Sequence, residues 1–251
     1  MASRLPPWHG RRCCWSPAPA SSHPCCPPEA VLGRKPIRRR SGSQTLRVDT
    51  VVFDVGNVLI QWNPRHLYRK LFASEAEVEA FLAEICTDAW NLEQDRGRSW
   101  AEAVAERIAL FPRHEALIRA FSDRWHEMVP GEVPGSAAIL EALRDGGVPL
   151  YAITNFSAEK YAEARERFPL LRGFRDTVVS AHERMVKPDP AIYRLLLDRN
   201  GLEAARCLFV DDSAANVRGA QEVGMRAHHF RDAAGLAAEL RALGLPAGAA
   251  A

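Results

Sequence analysis

The stretch Val51-Val52-Phe53-Asp54-Val55-Gly56-Asn57-Val58-Leu59 decides the fold, because it sets a carboxylate at the exit of a short apolar run. A run of β-branched and aromatic residues closed by an acid and a glycine reads as a buried strand followed by a turn. Three further apolar-to-polar junctions follow in order. Thr154 and Asn155 end Val148-Pro149-Leu150-Tyr151-Ala152-Ile153, Lys187 opens Lys187-Pro188-Asp189-Pro190, and Asp211-Asp212 end Leu208-Phe209-Val210. Short apolar runs alternating with segments of helical period imply a parallel sheet with helices on both faces, a Rossmann-like α/β core. In such sheets the residues after each strand meet at one edge, where ligands bind.

Between the first strand and the next, near Val148, lie about ninety residues, far beyond the roughly 10 to 12 that a crossover needs. Ser74-x-x-Glu77 and Ser99-x-x-Glu102 have capping-box spacing. Val78, Phe81, Leu82 and Ile85 recur at i, i+3, i+4 and i+7, the stripe of a helix buried on one side. Leu117, Phe121, Trp125 and Met128 predict another helix, stopped by Pro130-Gly131. Residues 63–132 are therefore expected to form an all-helical cap inserted into a core of residues 48–62 and 133–247. Beyond the insertion, helices are expected over about Ser136 to Arg144, Ala158 to Phe168, Asp189 to Leu197 and Ser213 to Val223. Strands are expected to end at Ile153, Val179, Val210 and Phe230.

The chain has 251 residues, 47% hydrophobic and 25% charged, ordinary for a globular protein. Its net charge of +2 hides an asymmetry. Residues 1–47 carry nine Lys and Arg against one acid, so the remainder holds 24 basic and 30 acidic residues, a net of −6. A body of that sign is a poor nucleic-acid surface. No apolar run approaches the ~20 residues that span a bilayer, so a membrane partner is not expected. Four of the six cysteines (Cys13, Cys14, Cys25, Cys26) lie in the first 47 residues, without Cys-x-x-Cys spacing. That segment reads as a disordered extension or a start codon placed too far upstream, and the body as a reduced, cytoplasmic monomer or homodimer.

Taken in order, these residues resemble the haloacid dehalogenase-like (HAD) hydrolase superfamily over residues 50–245. Asp54-Val55-Gly56-Asn57-Val58 is most similar to the branch that contains bacterial alpha-glucose-1-phosphate phosphatases. The resemblance implies a Mg²⁺-dependent phosphatase acting on a small phosphorylated metabolite, a sugar phosphate by preference, through an aspartyl-phosphate. Asp54 would attack phosphorus, dividing the hydrolysis into two displacements. Its side chain, that of Asp212 and the Gly56 carbonyl would hold Mg²⁺, with Asp211 supporting. Lys187, Thr154 and Asn155 would bind phosphate oxygens. Asn216, where many relatives carry an acid, would orient Asp212 or Lys187. In the cap, Trp62, Arg65, Arg69 and Arg96 are candidate substrate contacts, with Arg96, in the turn Asp95-Arg96-Gly97, the first.

One departure stands out. Most phosphatases of this superfamily carry an acid two residues after the nucleophile, which protonates the leaving oxygen, and here Gly56 stands in its place. Either the leaving group departs with little protonation, as an anomeric hydroxyl does, or a cap residue or water serves as the acid. Two other readings share the motif. A 2-haloacid dehalogenase needs no metal and no acidic pair, whereas a catalytically weak phosphate-binding protein would keep the pocket and lose turnover. His228-His229 lies in a terminal strand with alternating side chains and reads as structural.

Overall fold

The computed structural model describes residues 47–248. The leading segment, with its four cysteines, lies outside them apart from Arg47. Five parallel strands, β1 (Thr50–Phe53), β2 (Leu150–Thr154), β3 (Asp176–Val179), β4 (Cys207–Asp211) and β5 (Arg226–His229), form one sheet in the order β3-β2-β1-β4-β5. The strand order reverses at β1, so Asp54 leaves the sheet at its topological switch point, flanked by the ends of β2 and β4.

Helices follow in chain order: α1 (Arg65–Tyr68), α2 (Glu75–Glu84), α3 (Asp88–Asp95), α4 (Trp100–Leu110) and α5 (Glu115–Asp123) in the insertion, then α6 (Ser136–Asp145), α7 (Ala158–Arg167), α8 (Ser180–Glu183), α9 (Pro190–Asn200), α10 (Ala214–Glu222) and α11 (Ala233–Ala242). Strand alternation sorts the sheet into two apolar layers. Val52, Ile153, Val178 and Phe209 meet Ile192, Tyr193, Leu196 and Ala220 of α9 and α10. Val51, Phe53, Ala152, Leu208 and Val210 share a cluster with α6, α7 and α11. This second layer continues into the insertion through Val78, Phe81, Trp90, Trp100 and Phe121, joining insertion and sheet in one apolar cluster.

Local signals explain the boundaries. Ser74 and Glu77 make the full reciprocal capping box at the start of α2, Ser99 caps α4 at the Glu102 amide, and Asp189 caps α9 at the Ala191 amide, with Pro190 at the first helical position. The helix expected through Leu117 to Met128 is broken: α5 stops at Asp123 and a 3₁₀ turn covers Trp125–Met128. A tighter 3₁₀ turn rotates side chains by a different step, and Trp125, Met128 and Val129 are all buried there. No helix among the described residues is long and apolar enough to cross a membrane.

Candidate active site

β1 delivers Asp54 to the sheet edge, where its amide donates to the Val210 carbonyl at 2.8 Å and ties the turn to β4. Its Oδ1 accepts from the Val55 amide at 2.6 Å and pairs with Lys187 Nζ at 2.8 Å, so Oδ2 is the oxygen left for chemistry. The following turn reverses at Asn57, which adopts a left-handed φ of 53°, a conformation asparagine tolerates better than most residues. Its carboxamide oxygen accepts from the Trp62 amide at 2.9 Å, closing the loop.

Lys187 is buried, with Nζ between Asp54 and Asp211 at 2.8 and 2.6 Å. The Asn155 side chain holds it from behind, donating to the Lys187 carbonyl at 3.1 Å and accepting from its amide at 2.8 Å. The Asn155 carboxamide is therefore committed to positioning Lys187, though the residue also lines the cavity described below. Thr154 ends β2 and is buried beside it, without itself lining that cavity.

The two acids after β4 divide the work. Asp211 is fully buried and saturated: Oδ2 takes Lys187 Nζ, and Oδ1 accepts from the Ser213 amide at 2.8 Å and Asn216 Nδ2 at 3.0 Å. Asp212 lines the cavity. Asn216 thus orients Asp211 rather than Asp212 or Lys187, because α10 begins at Ala214 and turns its first amides and Asn216 back toward the last residue of the strand. His229 Nε2 lies 2.8 Å from the Asp212 carbonyl oxygen, so the histidine pair buttresses this turn through one member.

Burial pushes the Asp54 carboxyl up to about 7; Lys187 pulls it down, while Asp211 and Asp212 add to the rise. Burial alone would lower the Lys187 ammonium, but Asp54 and Asp211 raise it above its ordinary value. Asp54, Asp211 and Asp212 each offer an oxygen within 4.8 Å of the others. Three carboxylates around one ammonium leave negative charge uncompensated, and an all-oxygen donor set of this kind fits a hard divalent cation such as Mg²⁺.

Beside these acids lies a cavity of about 170 Å³ between the sheet edge and the insertion. Its walls include Ile60, Trp62, Trp100, Trp125 and Phe156, with Asn91, Asp95, Ser157 and Lys160 as polar members. Trp62, a candidate substrate contact from the sequence, thus faces the cavity together with Trp100 and Trp125, whereas Trp90 packs edge-on against Trp100 and Phe121. The insertion is fastened over the site by Trp100 Nε1 donating to Ser157 Oγ at 2.8 Å and by Ser180 Oγ donating to the Asp95 carbonyl at 2.6 Å.

Arg96 does not line the cavity. It caps the C-terminus of α3, is exposed and pairs with Glu93 at 2.7 Å, while Arg65 and Arg69 pair outside with Glu79 and Glu75. The reason is helical phase. Asn91 and Asp95, four residues apart, share the face of α3 that meets the cavity, and the next residue is turned about 100° away. The i, i+4 spacing of Asn91 and Asp95 was the available signal for that face.

The chain matches the haloacid dehalogenase-like hydrolase family over residues 48–224. It belongs to that family. Among curated proteins, the hydrolase is 29% identical over 196 residues to the sesquiterpene phosphatase AstK of Aspergillus oryzae, covering 76% of this chain and 94% of that one. It is 24% identical over 197 residues to a phosphorylated carbohydrates phosphatase of Thermotoga maritima, covering 71% and 82%. Among solved structures, the HAD family enzyme BT-2542 of Bacteroides thetaiotaomicron superposes with a TM-score of 0.60 at 21% identity, covering 74% and 95%. A second structure of that enzyme, complexed with magnesium and inorganic phosphate, superposes at 0.57.

Proposed function

We propose that the hydrolase is a magnesium-dependent phosphatase of a small phosphorylated metabolite, working through an aspartyl-phosphate on Asp54. The observation that carries this reading is the cluster of Asp54, Asp211 and Asp212 around buried Lys187 at the switch point of the sheet. An enzyme displacing halide from carbon has no use for that density of carboxylates. When bound, Mg²⁺ supplies charge that lets an anionic nucleophile approach a phosphate dianion. The side chains of Asp54 and Asp212 and the carbonyl of Gly56 would hold it. The chain's own residues do the rest. Lys187 holds Asp54 Oδ1 so that Oδ2 points at the ligand, and Asp211 fixes Lys187. The Lys187 ammonium and the main chain at Asn155, where it lines the cavity, take the phosphate oxygens as charge spreads over them, while the Asn155 carboxamide holds Lys187 and Thr154 stays behind the cavity wall.

The names of the relatives support phosphate-ester hydrolysis and span two kinds of organic group, carbohydrate and sesquiterpene. A cavity of about 170 Å³ is small beside the ~300 Å³ at which drug-sized pockets begin, which favours a compact substrate. A sugar phosphate fits this size, and its hydroxyls would meet Asn91, Ser157 and Lys160. The five apolar and aromatic walls favour a second substrate class, a phosphate ester of an apolar alcohol. Phosphate release from a panel holding sugar 1-phosphates, sugar 6-phosphates and short prenyl phosphates, with magnesium and with chelator, tests the reading. Magnesium-dependent release from at least one class is expected, and its ranking selects between sugar and apolar alcohol. Release that is indifferent to chelation would refute the metal.

A further inference from the structure

We propose that Asp95 is the proton donor and acceptor of this hydrolase, supplying from the insertion what glycine at position 56 cannot; the inference rests on the phosphatase reading above. The argument begins with direction. In phosphoryl transfer the attacking and leaving oxygens lie roughly in line through phosphorus. Asp54 attacks from the sheet edge, so the leaving oxygen points away from the sheet, across the cavity to the wall made by the insertion. The acids lining the cavity are Asp54, Asp212 and Asp95. The first two stand at the sheet edge as nucleophile and metal ligand, and Asp95 comes from the insertion, at the end of α3, its carboxyl beside the Ser157 amide.

Asp95 is also held in place. The Ser180 hydroxyl, which accepts from the Phe156 amide at 2.9 Å, donates to the Asp95 carbonyl at 2.6 Å, so one core side chain fixes the end of α3. Two residues on, Gly97 has a φ of +101°, and a Cβ there would come within 2.8 Å of the Ala181 carbonyl oxygen. Only glycine lets this turn press so closely on the core. The insertion is therefore seated at the residue that presents the carboxyl.

Burial raises the Asp95 carboxyl to about 7, against the pull of the Ser157 amide and of Lys187. The titratable groups on the elements around it are Lys187 and Asp54 at the sheet edge, Glu102, Glu106 and Arg107 on α4, Glu159 and Lys160 in the first turn of α7, His182 and Glu183 on α8, and Arg184 just after it. Lys160 is itself paired with Glu163 at 2.6 Å, and Glu159 lies 3.2 Å from the Trp100 amide. An acid that titrates near the working pH can both give and take a proton.

The step balances without a further reactant. Asp54 Oδ2 forms a bond to phosphorus, the phosphorus–oxygen ester bond breaks with its electron pair on the leaving oxygen, and that oxygen takes the Asp95 proton to depart as the alcohol. The resulting Asp95 carboxylate removes a proton from water as the water oxygen attacks phosphorus, and the Asp54 Oδ2–phosphorus bond breaks with its electron pair returning to the Asp54 carboxylate. Inorganic phosphate leaves, and both aspartates return to their starting state.

Leaving-group dependence tests the assignment, because only a proton donor discriminates between esters by their need for a proton. Wild type and Asp95→Asn are compared with magnesium on p-nitrophenyl phosphate, whose phenolate departs unprotonated, and on an alkyl phosphate. The expected loss in kcat/KM is roughly 10² to 10⁴-fold for the alkyl ester and under about tenfold for the nitrophenyl ester. A Cβ at Gly56 would meet nothing within 4 Å, so Gly56→Asp added to Asp95→Asn has room for an acid and is expected to recover alkyl-ester activity selectively. Equal losses on the two esters would overturn the role of Asp95 while leaving the phosphatase reading standing. A wild type inert on every phosphate ester would overturn both. Should Asp95→Asn not fold, the wild-type pH profiles decide. With the alkyl ester kcat/KM is expected to fall as pH rises through about 7 relative to the nitrophenyl ester, and superimposable profiles would overturn the proposal.

Discussion

Replacing Lys187 with methionine removes the one ammonium between Asp54 and Asp211 while keeping most of the side-chain volume. The ammonium is within 2.8 and 2.6 Å of the two carboxylates, and its side chain is 1% exposed, so water cannot take its place without opening the sheet edge. Breaking a buried pair by deleting one partner costs about 3 to 5 kcal/mol. In a folded body of this size each kcal/mol moves Tm by about 2 to 4 °C, so a fall of about 6 to 20 °C is expected at pH 8 in chelator. The loss depends on pH in a defined sense. The Asp54 carboxyl is raised above its ordinary value in the folded protein, so its protonation favours folding below the usual carboxylate range and that stability is lost as pH rises through about 7. Without Lys187 the carboxyl rises further, and at pH 5.5 a proton replaces the missing ammonium. The expected deficit at pH 5.5 is therefore smaller than at pH 8. Thermal unfolding of wild type and Lys187→Met at both pH values, in chelator, checks this. A deficit below about 1 kcal/mol at pH 8, the scale of an exposed pair, or one equal at both pH values, would refute the electrostatic account of the site.

Trp100→Phe keeps the ring contact with Phe121 but orphans the buried Ser157 hydroxyl, with an expected cost of about 1 to 3 kcal/mol in thermal or urea unfolding; an unchanged midpoint would show that the Trp100 to Ser157 bond contributes nothing net. Asn216→Ala strips two contacts from Asp211 and is expected to lower kcat more than it raises the magnesium concentration for half-activation, since Asp211 acts through Lys187. A shift confined to magnesium affinity would instead make Asn216 part of the metal site. Arg96→Ala removes an exposed ion pair worth about 0 to 1 kcal/mol and is expected to leave kcat/KM within about twofold for every substrate; selective loss on one class would return Arg96 to the substrate wall.

The sheet edge was legible because strands write themselves as short apolar runs, and the residue after each run has little freedom in where it emerges. Asp54, Asn155 and Asp211-Asp212 converge as that rule requires, whereas Lys187 comes eight residues after β3, beyond α8, and is held at the edge by the Asn155 side chain. The division between the paired acids was only partly legible. Asp212 as the cavity-facing member agrees with the turn, but the attachment of Asn216 to Asp211 depends on where α10 starts, and Ser213 shows that only through its backbone amide. The wall opposite was the least legible. Arg96 drew attention as a charge in a named turn, yet helix phase gives the cavity to Asn91 and Asp95. Trp125 falls on the periodic stripe of an expected helix, but it lies in a 3₁₀ turn and lines the cavity. Which ring faces in depends on how the insertion docks through Ser157 and Ser180, contacts between residues 57 and 85 positions apart that no local pattern records.

The most direct measurement of the central claim is a turnover in ¹⁸O-labelled water, with magnesium, followed by mass spectrometry of the released phosphate and of the peptide carrying Asp54. Attack by Asp54 on phosphorus, with water then attacking phosphorus, predicts ¹⁸O in the phosphate, an unlabelled Asp54, and no turnover by Asp54→Asn. Label appearing in the Asp54 carboxylate would mean that the aspartate attacks carbon, and phosphate release surviving in Asp54→Asn would mean that it attacks nothing; either result contradicts the account.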